Sequence, residues 1–471
     1  MKQDEPGADP TPAPDSEARP SLVDRGLRLF ADVRAGESGT ALLLLANVFL
    51  AMFAYYVIKT IRESLILRME DGAELKSYAS GAMAITLVLV LPAYNWLTSN
   101  VSTKRLLFSV VGFFLLCTEA FFLALQFDLQ IGFVFFIWVG IYSLSTIALF
   151  WSFANEVYTR DEGERLFPVI GIGMTGGAWA GSALAGQLFG EDVSPGLVLQ
   201  VAAGLLLVHG LLYGVALARK DVRRGLTRSR EEEPEPTKGL KAALQGFALI
   251  ARSRYIALIA VLILLLNLVN TTGEYILSKY VVGLAEEALA AAGEVADPDA
   301  WKGSYIGSFY GSFFLWVNVA GVVLQAFVAS RLVKFFGIAG VLFALPLVSG
   351  AAYAMASLGV AFVFFRWAKS AENATDYSIM NTARAMLWLP TSREEKYKGK
   401  QTTDTLLVRV GDLFSAGLVY AGTTWLHLDV QGFALVNVGI VAVWLGVAWL
   451  LYRSYRRLAR EKGIEEDAVG K

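Results

Sequence analysis

Tyr55-Tyr56-Val57-Ile58-Lys59-Thr60-Ile61-Arg62-Glu63-Ser64-Leu65-Ile66-Leu67 sets two cations and an anion in a run otherwise apolar enough to cross a membrane. A charge in a bilayer core costs about 2.5–3.5 kcal/mol even on the lenient insertion scale, so such side chains turn toward a bundle interior or a watery cavity. The same mixture returns between Arg366 and Arg384, and again at Arg409 and Asp412. Around these stretches the chain is 55% hydrophobic and only 18% charged over 471 residues, against about 25% charged in soluble domains. The prediction is an all-α, polytopic membrane protein whose charges serve passage of a solute.

A membrane span needs about 20 predominantly apolar residues. Candidates at 40–67, 75–98, 105–127, 131–157, 167–189 and 194–219 are followed by others at 255–282, 305–333, 337–357, 359–389, 402–426 and 430–453. Basic residues collect in alternate connections: Lys104 and Arg105, Arg160 and Arg165, Arg219 and Lys220 with Arg223 and Arg224, Arg331 and Lys334, Lys396 and Lys398, then Arg456 and Arg457. The intervening loops are neutral or acidic, as at Glu286, Glu287 and Glu294. The positive-inside rule then puts both termini and the central link in the cytoplasm. The chain divides into a tail at 1–38 with a short amphipathic surface helix over 21–36, a first half at 39–219, a cytoplasmic linker at 220–254, a second half at 255–455, and a tail at 456–471. Residues 1–20 are polar and Pro-rich with no apolar h-region, so no secretory signal peptide is expected.

The halves look related, since Thr159-Arg160-Asp161-Glu162 follows the fourth span and Thr391-Ser392-Arg393-Glu394 the tenth. Two sets of six spans about a charged linker resemble the plan of the major facilitator type, with a midplane cavity between halves. An unrelated twelve-span bundle is the alternative.

Lys59, Arg62 and Glu63 fall at i, i+3 and i+4 and share one helix face. They either line a substrate path or neutralise one another near the interface. In the tenth span Arg366, Lys369, Asn373 and Asp376 recur every three or four residues, with Glu372 and Tyr377 beside them and Asn381 and Arg384 beyond. That stripe is a cavity wall or a self-neutralising ladder. Arg409 and Asp412 are a turn apart, so an intrahelical pair competes with a site role. The seventh span adds Asn270, Thr271, Thr272, Glu274 and Lys279. Lys59, Arg62, Lys279, Arg366, Lys369, Asn373 and Arg409 are candidates for binding an anionic substrate, because arginine offers bidentate donors that stay charged when desolvated. Glu63, Glu156, Asn270, Glu274, Glu372, Asp376, Arg384 and Asp412 are candidates for coupling or gating, with Glu156 near a cytoplasmic helix end. Glu119, alone in the third span, is a proton carrier or a neutral, hydrogen-bonded acid.

Several chemistries are disfavoured. Gly171-Ile172-Gly173-Met174-Thr175-Gly176 spells a dinucleotide fingerprint but lacks the strand context it needs; with Gly177, Gly181 and Gly186 it reads as close helix packing. No Walker A sequence occurs, so an ATP-hydrolysing pump is not expected. Two histidines, His209 and His427, and one cysteine, Cys117, leave little for zinc or disulfides. The net charge of −1 gives no footprint for nucleic acid. No catalytic constellation and no cofactor are expected; lipid and a small anion are the expected partners of a monomer.

Three stretches resemble the ATP/ADP translocases, the nucleotide transporter family of plastids and obligate intracellular bacteria. The run from Tyr56 to Leu67 looks like the first-helix pattern of that family, its cation falling on Arg62. Phe150-Trp151-Ser152-Phe153-Ala154-Asn155, with Arg165-Leu166-Phe167-Pro168, is similar to the F-W-G-F-A-N segment and the turn after it. Lys398-Gly399-Lys400 with Asp404 resembles the entry to the eleventh helix. The resemblance covers about 40–420 and implies ATP/ADP exchange. In that pattern acids would fall near Val139 and on Asn270, with Glu274 one turn later as a substitute, and a lysine near Asp412, so the scaffold carries over better than the charged set. Tyr55, Tyr56, Trp151 and Tyr377 could stack on a base. The expectation is a nucleotide exchanger or importer of the inner membrane working by alternating access. The competing readings are a proton-coupled transporter, with Glu119, Glu274 or Asp412 titrating, and a non-transporting membrane sensor or scaffold.

Overall fold

A computed structural model describes residues 32–34, 36–191, 193–231, 250, 252–392, 395 and 399–463. Nearly all of the expected surface helix, the 232–249 stretch of the linker and the 464–471 end of the tail lie outside them. Six long helices precede the linker: α1 (Ser38–Leu67), α2 (Gly72–Asn100), α3 (Thr103–Gln126), α4 (Gly132–Val157), α5 (Arg160–Gly190) and α6 (Pro195–Ala218). A short polar helix, Lys220–Glu231, enters the linker. After it come α7 (Arg254–Ala292), α8 (Pro298–Val323, prolonged by the π-helical Leu324–Ala329) and α9 (338–357). Then follow α10 (Phe362–Thr375, π-helical Asp376–Met380 and Asn381–Leu387), α11 (Lys400–Thr402, π-helical Thr403–Leu407 and Val408–Thr424) and α12 (Val430–Glu461).

Local chemistry sets many of these limits. Side chains of Ser194, Ser253, Asp297 and Asp429 accept the first free amides of α6, α7, α8 and α12, and proline occupies the first turn of α6 and α8. Thr159 and Glu162 close a reciprocal capping box that starts α5 at Arg160. Helical hydrogen bonding runs on from Pro298 to Ser357, 60 residues, which would make a rod of about 90 Å. Gly337, at φ 60° and ψ −149°, breaks it into two spans. By length and hydropathy eight stretches among the described residues qualify as membrane spans, with 298–357 taken as one. Glycine dilutes α5, and charge and π-helical turns interrupt α10 and α11, so these three miss the criterion.

The packing repeats with a shift of six helices. α1 packs on α4, α5 and α6, α2 on α4, and α3 on α6; likewise α7 packs on α10, α11 and α12, α8 on α10, and α9 on α12. The halves meet where α5 crosses α8, where α2 lies against α7 and α11, and where α1 touches α8. Leu89, Leu116, Leu211, Phe414 and Leu435 stand outward and mostly uncovered on five different helices, an apolar girdle suited to lipid rather than water. On α5 a Cβ at Gly173, Gly177 or Gly181 would strike the carbonyl oxygens of Leu45, Phe49 and Phe53 at 2.5, 2.2 and 2.5 Å. The fingerprint-like glycines are therefore the surface on which α1 seats, as small-residue packing predicts.

Candidate functional site

α1 rises from the linker end of the bundle to the opposite, far end, where Asp71 takes a left-handed φ of 50° and α2 begins. Lys76, just over one turn into α2, is buried. Its Nζ lies 2.8 Å from Glu63 of α1 and 3.4 Å from Glu274 of α7, and donates to the Ser278 and Tyr310 hydroxyls at 3.1 and 3.4 Å. One ammonium thus ties the first half to two helices of the second. Glu63 also accepts from Arg62 Nε at 3.0 Å. Glu274 accepts from Asn373 Nδ2 at 3.0 Å and stands 3.7 Å from Lys369.

Lys369 is fully buried, pairs with Glu372 at 2.8 Å and donates to Asn270 Oδ1 at 3.0 Å. The Tyr353 and Ser349 hydroxyls of the α9 wall each donate to Glu372 at 2.8 Å. Glu74 makes a second bridge between halves, accepting from Lys279 at 2.8 Å and Tyr275 at 3.0 Å. The Ser64 hydroxyl donates to the Gly303 carbonyl at 2.7 Å, again across the halves. Glu63, Glu74, Glu274 and Glu372 match Arg62, Lys76, Lys279 and Lys369 charge for charge. That neutrality is what makes so many ions tolerable away from water.

On the linker side of this ionic seam stand aromatic and charged side chains of both halves. Tyr55 lies within Coulombic reach of Arg62 and, across the halves, of Arg409. Tyr377 of α10, 44% exposed, is within reach of Tyr55, Tyr56 and Glu274. Lys59 Nζ sits 4.1 Å from the centre of the Phe314 ring of α8 and 5.2 Å from that of Tyr56, and the Arg62 guanidinium lies 4.3 Å over Phe136. Asp412 holds Arg409 at 3.0 Å while accepting from Asn267 and Thr271 at 2.8 and 3.2 Å. Asn318 of α8 meets Ser182 of α5 and Tyr56 of α1, joining the halves once more. Side chains of both halves thus gather beside the ionic seam, where a candidate substrate chamber lies between Tyr55 and Arg62 of one half and Arg409 and Tyr377 of the other.

Of the residues singled out from sequence, Lys59, Arg409 and Asp412 lie beside this chamber, Arg62 belongs both to it and, through Glu63, to the seam, and Glu63, Asn270, Glu274, Lys279, Lys369, Glu372 and Asn373 complete the seam. Arg366 stands apart, donating to Ser312 at 2.8 Å and resting on the rings of Phe309 and Trp367. Asp376 and Arg384 lie further down α10 within Coulombic reach of each other. Glu156 accepts from Thr103 at 2.7 Å at the linker end, and Glu119 from Gln200 at 2.9 Å between α3 and α6. Glu74, Lys76, Tyr310, Ser349 and Tyr353 escaped the sequence reading; the one available signal was a Glu-x-Lys pair opening a span. Outside the spans, Arg165 grips both oxygens of Glu37 at 3.0 and 2.9 Å. Burial acts to raise the Glu37 carboxyl, but the Arg165 bonds prevail and hold it below the usual carboxylate range. A shallow groove lined by Asn155, Tyr158, Phe167 and Pro168 lies at the α4–α5 turn, remote from the ionic seam.

A family model described as TLC ATP/ADP transporter matches residues 28–128 and 133–282. The chain is 25% identical over 376 residues to ADP,ATP carrier protein 1 of Chlamydia pneumoniae, an alignment covering 68% of this chain and 67% of that protein. It is 23% identical over 360 residues to the chloroplastic ADP,ATP carrier protein 1 of Arabidopsis thaliana, covering 69% and 54%. Among solved structures, the nucleoside transporter NupG superposes with a TM-score of 0.61 at 14% identity, covering 88% of this chain and 98% of that one. The POT family transporter PepTSo does so with a TM-score of 0.60 at 13% identity, covering 89% and 98%. These superpositions fit a fold of two six-helix halves.

Proposed function

Because the chain belongs to the TLC ATP/ADP transporter family, we propose that it is a secondary transporter that exchanges nucleotides across a bacterial inner membrane by alternating access of its halves. The observation that supports this reading is that Arg62 of one half and Arg409 of the other both lie within Coulombic reach of Tyr55, with Lys59 one turn before Arg62 on the same helix. Phosphates need donors that stay charged without water, and the arginine fork suits them in pairs. A ligand held from both walls would couple its own passage to the movement of the halves.

Lys279 and Lys369 are engaged by Glu74 and Glu372, which supports a closing role for them beside Glu63, Lys76 and Glu274. The basic loops gather at the linker end, which the positive-inside rule assigns to the cytoplasm. On that orientation the seam closes the periplasmic side and the chamber faces inward.

The test is uptake of labelled ATP by proteoliposomes loaded with ADP. Losing a charge-assisted hydrogen bond is worth about 1.5–3 kcal/mol, so Arg62→Ala is expected to slow exchange at low ATP by about ten- to a hundredfold. Flux equal to wild type would remove Arg62 from the binding site. A wild-type protein that moves neither ATP nor ADP would overturn the nucleotide reading.

A further inference from the structure

We infer that Lys59 is the residue that makes the exchange obligatory: its ammonium finds a counter-charge in the closing chamber only when a substrate anion is bound. Lys59, Lys76, Lys279 and Lys369 all lie in helices that build the seam and the chamber. Lys76 has Glu63 at 2.8 Å, Lys279 has Glu74 at 2.8 Å and Lys369 has Glu372 at 2.8 Å. Lys59 has no carboxylate within ion-pair distance among the described residues, and feels Glu274 and Glu63 only from further away. Glu63 is already engaged by Lys76 and Arg62, and Glu274 is shared by Lys76 and Lys369. What Lys59 touches is aromatic, the rings of Tyr56 in its own half and Phe314 in the other.

With the chamber open, water solvates this ammonium. When the halves close, that water must leave, and a ring face replaces only part of its hydration. An empty chamber therefore meets a desolvation penalty on every attempted crossing. A bound polyanion supplies the missing charge and removes the penalty. Loaded carriers cross in both directions while empty ones stay put, which is the behaviour of an exchanger. The inference rests on the nucleotide-carrier reading above and adds the residue that enforces its coupling.

The experiment uses proteoliposomes loaded with labelled ADP and diluted into medium with or without ATP. Wild type is expected to release label only when ATP is outside. Lys59→Gln is expected to exchange more slowly and to release label into nucleotide-free medium at least about tenfold faster than wild type, the change for 1.36 kcal/mol off the crossing barrier. Lys59→Arg, which keeps the charge, is expected to stay coupled.

A second reading needs no transport. Ser64 is buried against Gly303 while the far end is closed, so in a Cys117→Ala background Ser64→Cys reports far-end opening through reaction with an impermeant thiol reagent. In empty membranes, adding Lys59→Gln should raise that labelling rate at least about tenfold. A Lys59→Gln carrier that still exchanges yet releases nothing into nucleotide-free medium overturns the inference. So does a transport-dead Lys59→Gln variant labelled at the wild-type rate. Failure of the wild type to exchange nucleotides would instead overturn the carrier reading, with the labelling comparison still deciding the role of Lys59.

Discussion

Glu274→Gln is expected to cut exchange at least about a hundredfold and to loosen the far end of the protein. Glutamine keeps the size of the side chain and an oxygen for the Asn373 amide, which donates at 3.0 Å, so the change isolates the charge. Glu274 is the anion shared by Lys76 of one half, at 3.4 Å, and Lys369 of the other, at 3.7 Å. Without it the seam carries one uncompensated positive charge, and each lysine keeps a carboxylate only within its own half, Glu63 or Glu372. Breaking a buried pair by removing one partner costs about 3–5 kcal/mol, and about 2.7 kcal/mol on a barrier is already a hundredfold in rate. Adding Lys76→Gln to Glu274→Gln restores neutrality and should recover part of the lost thermal stability without recovering transport. Near-normal exchange in Glu274→Gln would mean that the seam holds the bundle together and takes no part in the cycle.

Gly311→Val should be as damaging by a different route. At the crossing of α5 and α8 a Cβ on Gly311 would fall 2.3 Å from Gly186 Cα and 2.4 Å from its nitrogen. Both obstacles are backbone, so no rotamer change relieves the clash and the helices must part. This crossing belongs to the closed far end, near the Ser182–Asn318 contact. The valine variant is expected to fold with its far end propped apart, to lose exchange, and to label readily at a cysteine placed at position 64. Gly417→Ala is the control, since nothing lies within 4 Å of the Cβ it would add. Wild-type exchange by Gly311→Val would show that the two halves never need to approach this closely.

The fold was largely legible because it rests on physics local to the chain. Apolar runs of bilayer length, basic loops at alternate turns and glycine at 173, 177 and 181 all speak without tertiary knowledge. Helix ends were harder. α7 runs to Ala292 rather than stopping near 282, because Leu284-Ala285-Glu286-Glu287-Ala288-Leu289 favours helix after its hydropathy has fallen. α5 begins at Arg160 because a capping box, not apolar content, starts it. The candidate site was legible in composition but not in pairing. Arg409 and Asp412 do pair along one helix, as i, i+3 spacing allows. The spacing of Lys59 and Glu63 also allowed a pair, but Glu63 pairs with Arg62 and Lys76 while Lys59 turns to Phe314. Lys76 and Glu74 went unread because only the apposition of the two halves makes them bridges. One turn beyond Asn270, which accepts from Lys369, Glu274 stands 3.7 Å from the same ammonium.

The most direct test of two halves opening in turn around one chamber is a pair of distances measured by electron spin resonance. In the Cys117→Ala background, labels at Glu70 and Glu294 report the far end, and labels at Lys104 and Lys334 report the linker end; all four side chains are exposed. With ADP present, the far-end pair should gain a longer-distance population as the linker-end pair gains a shorter one. Single distances at both ends, unmoved by ADP or ATP, would contradict alternating access.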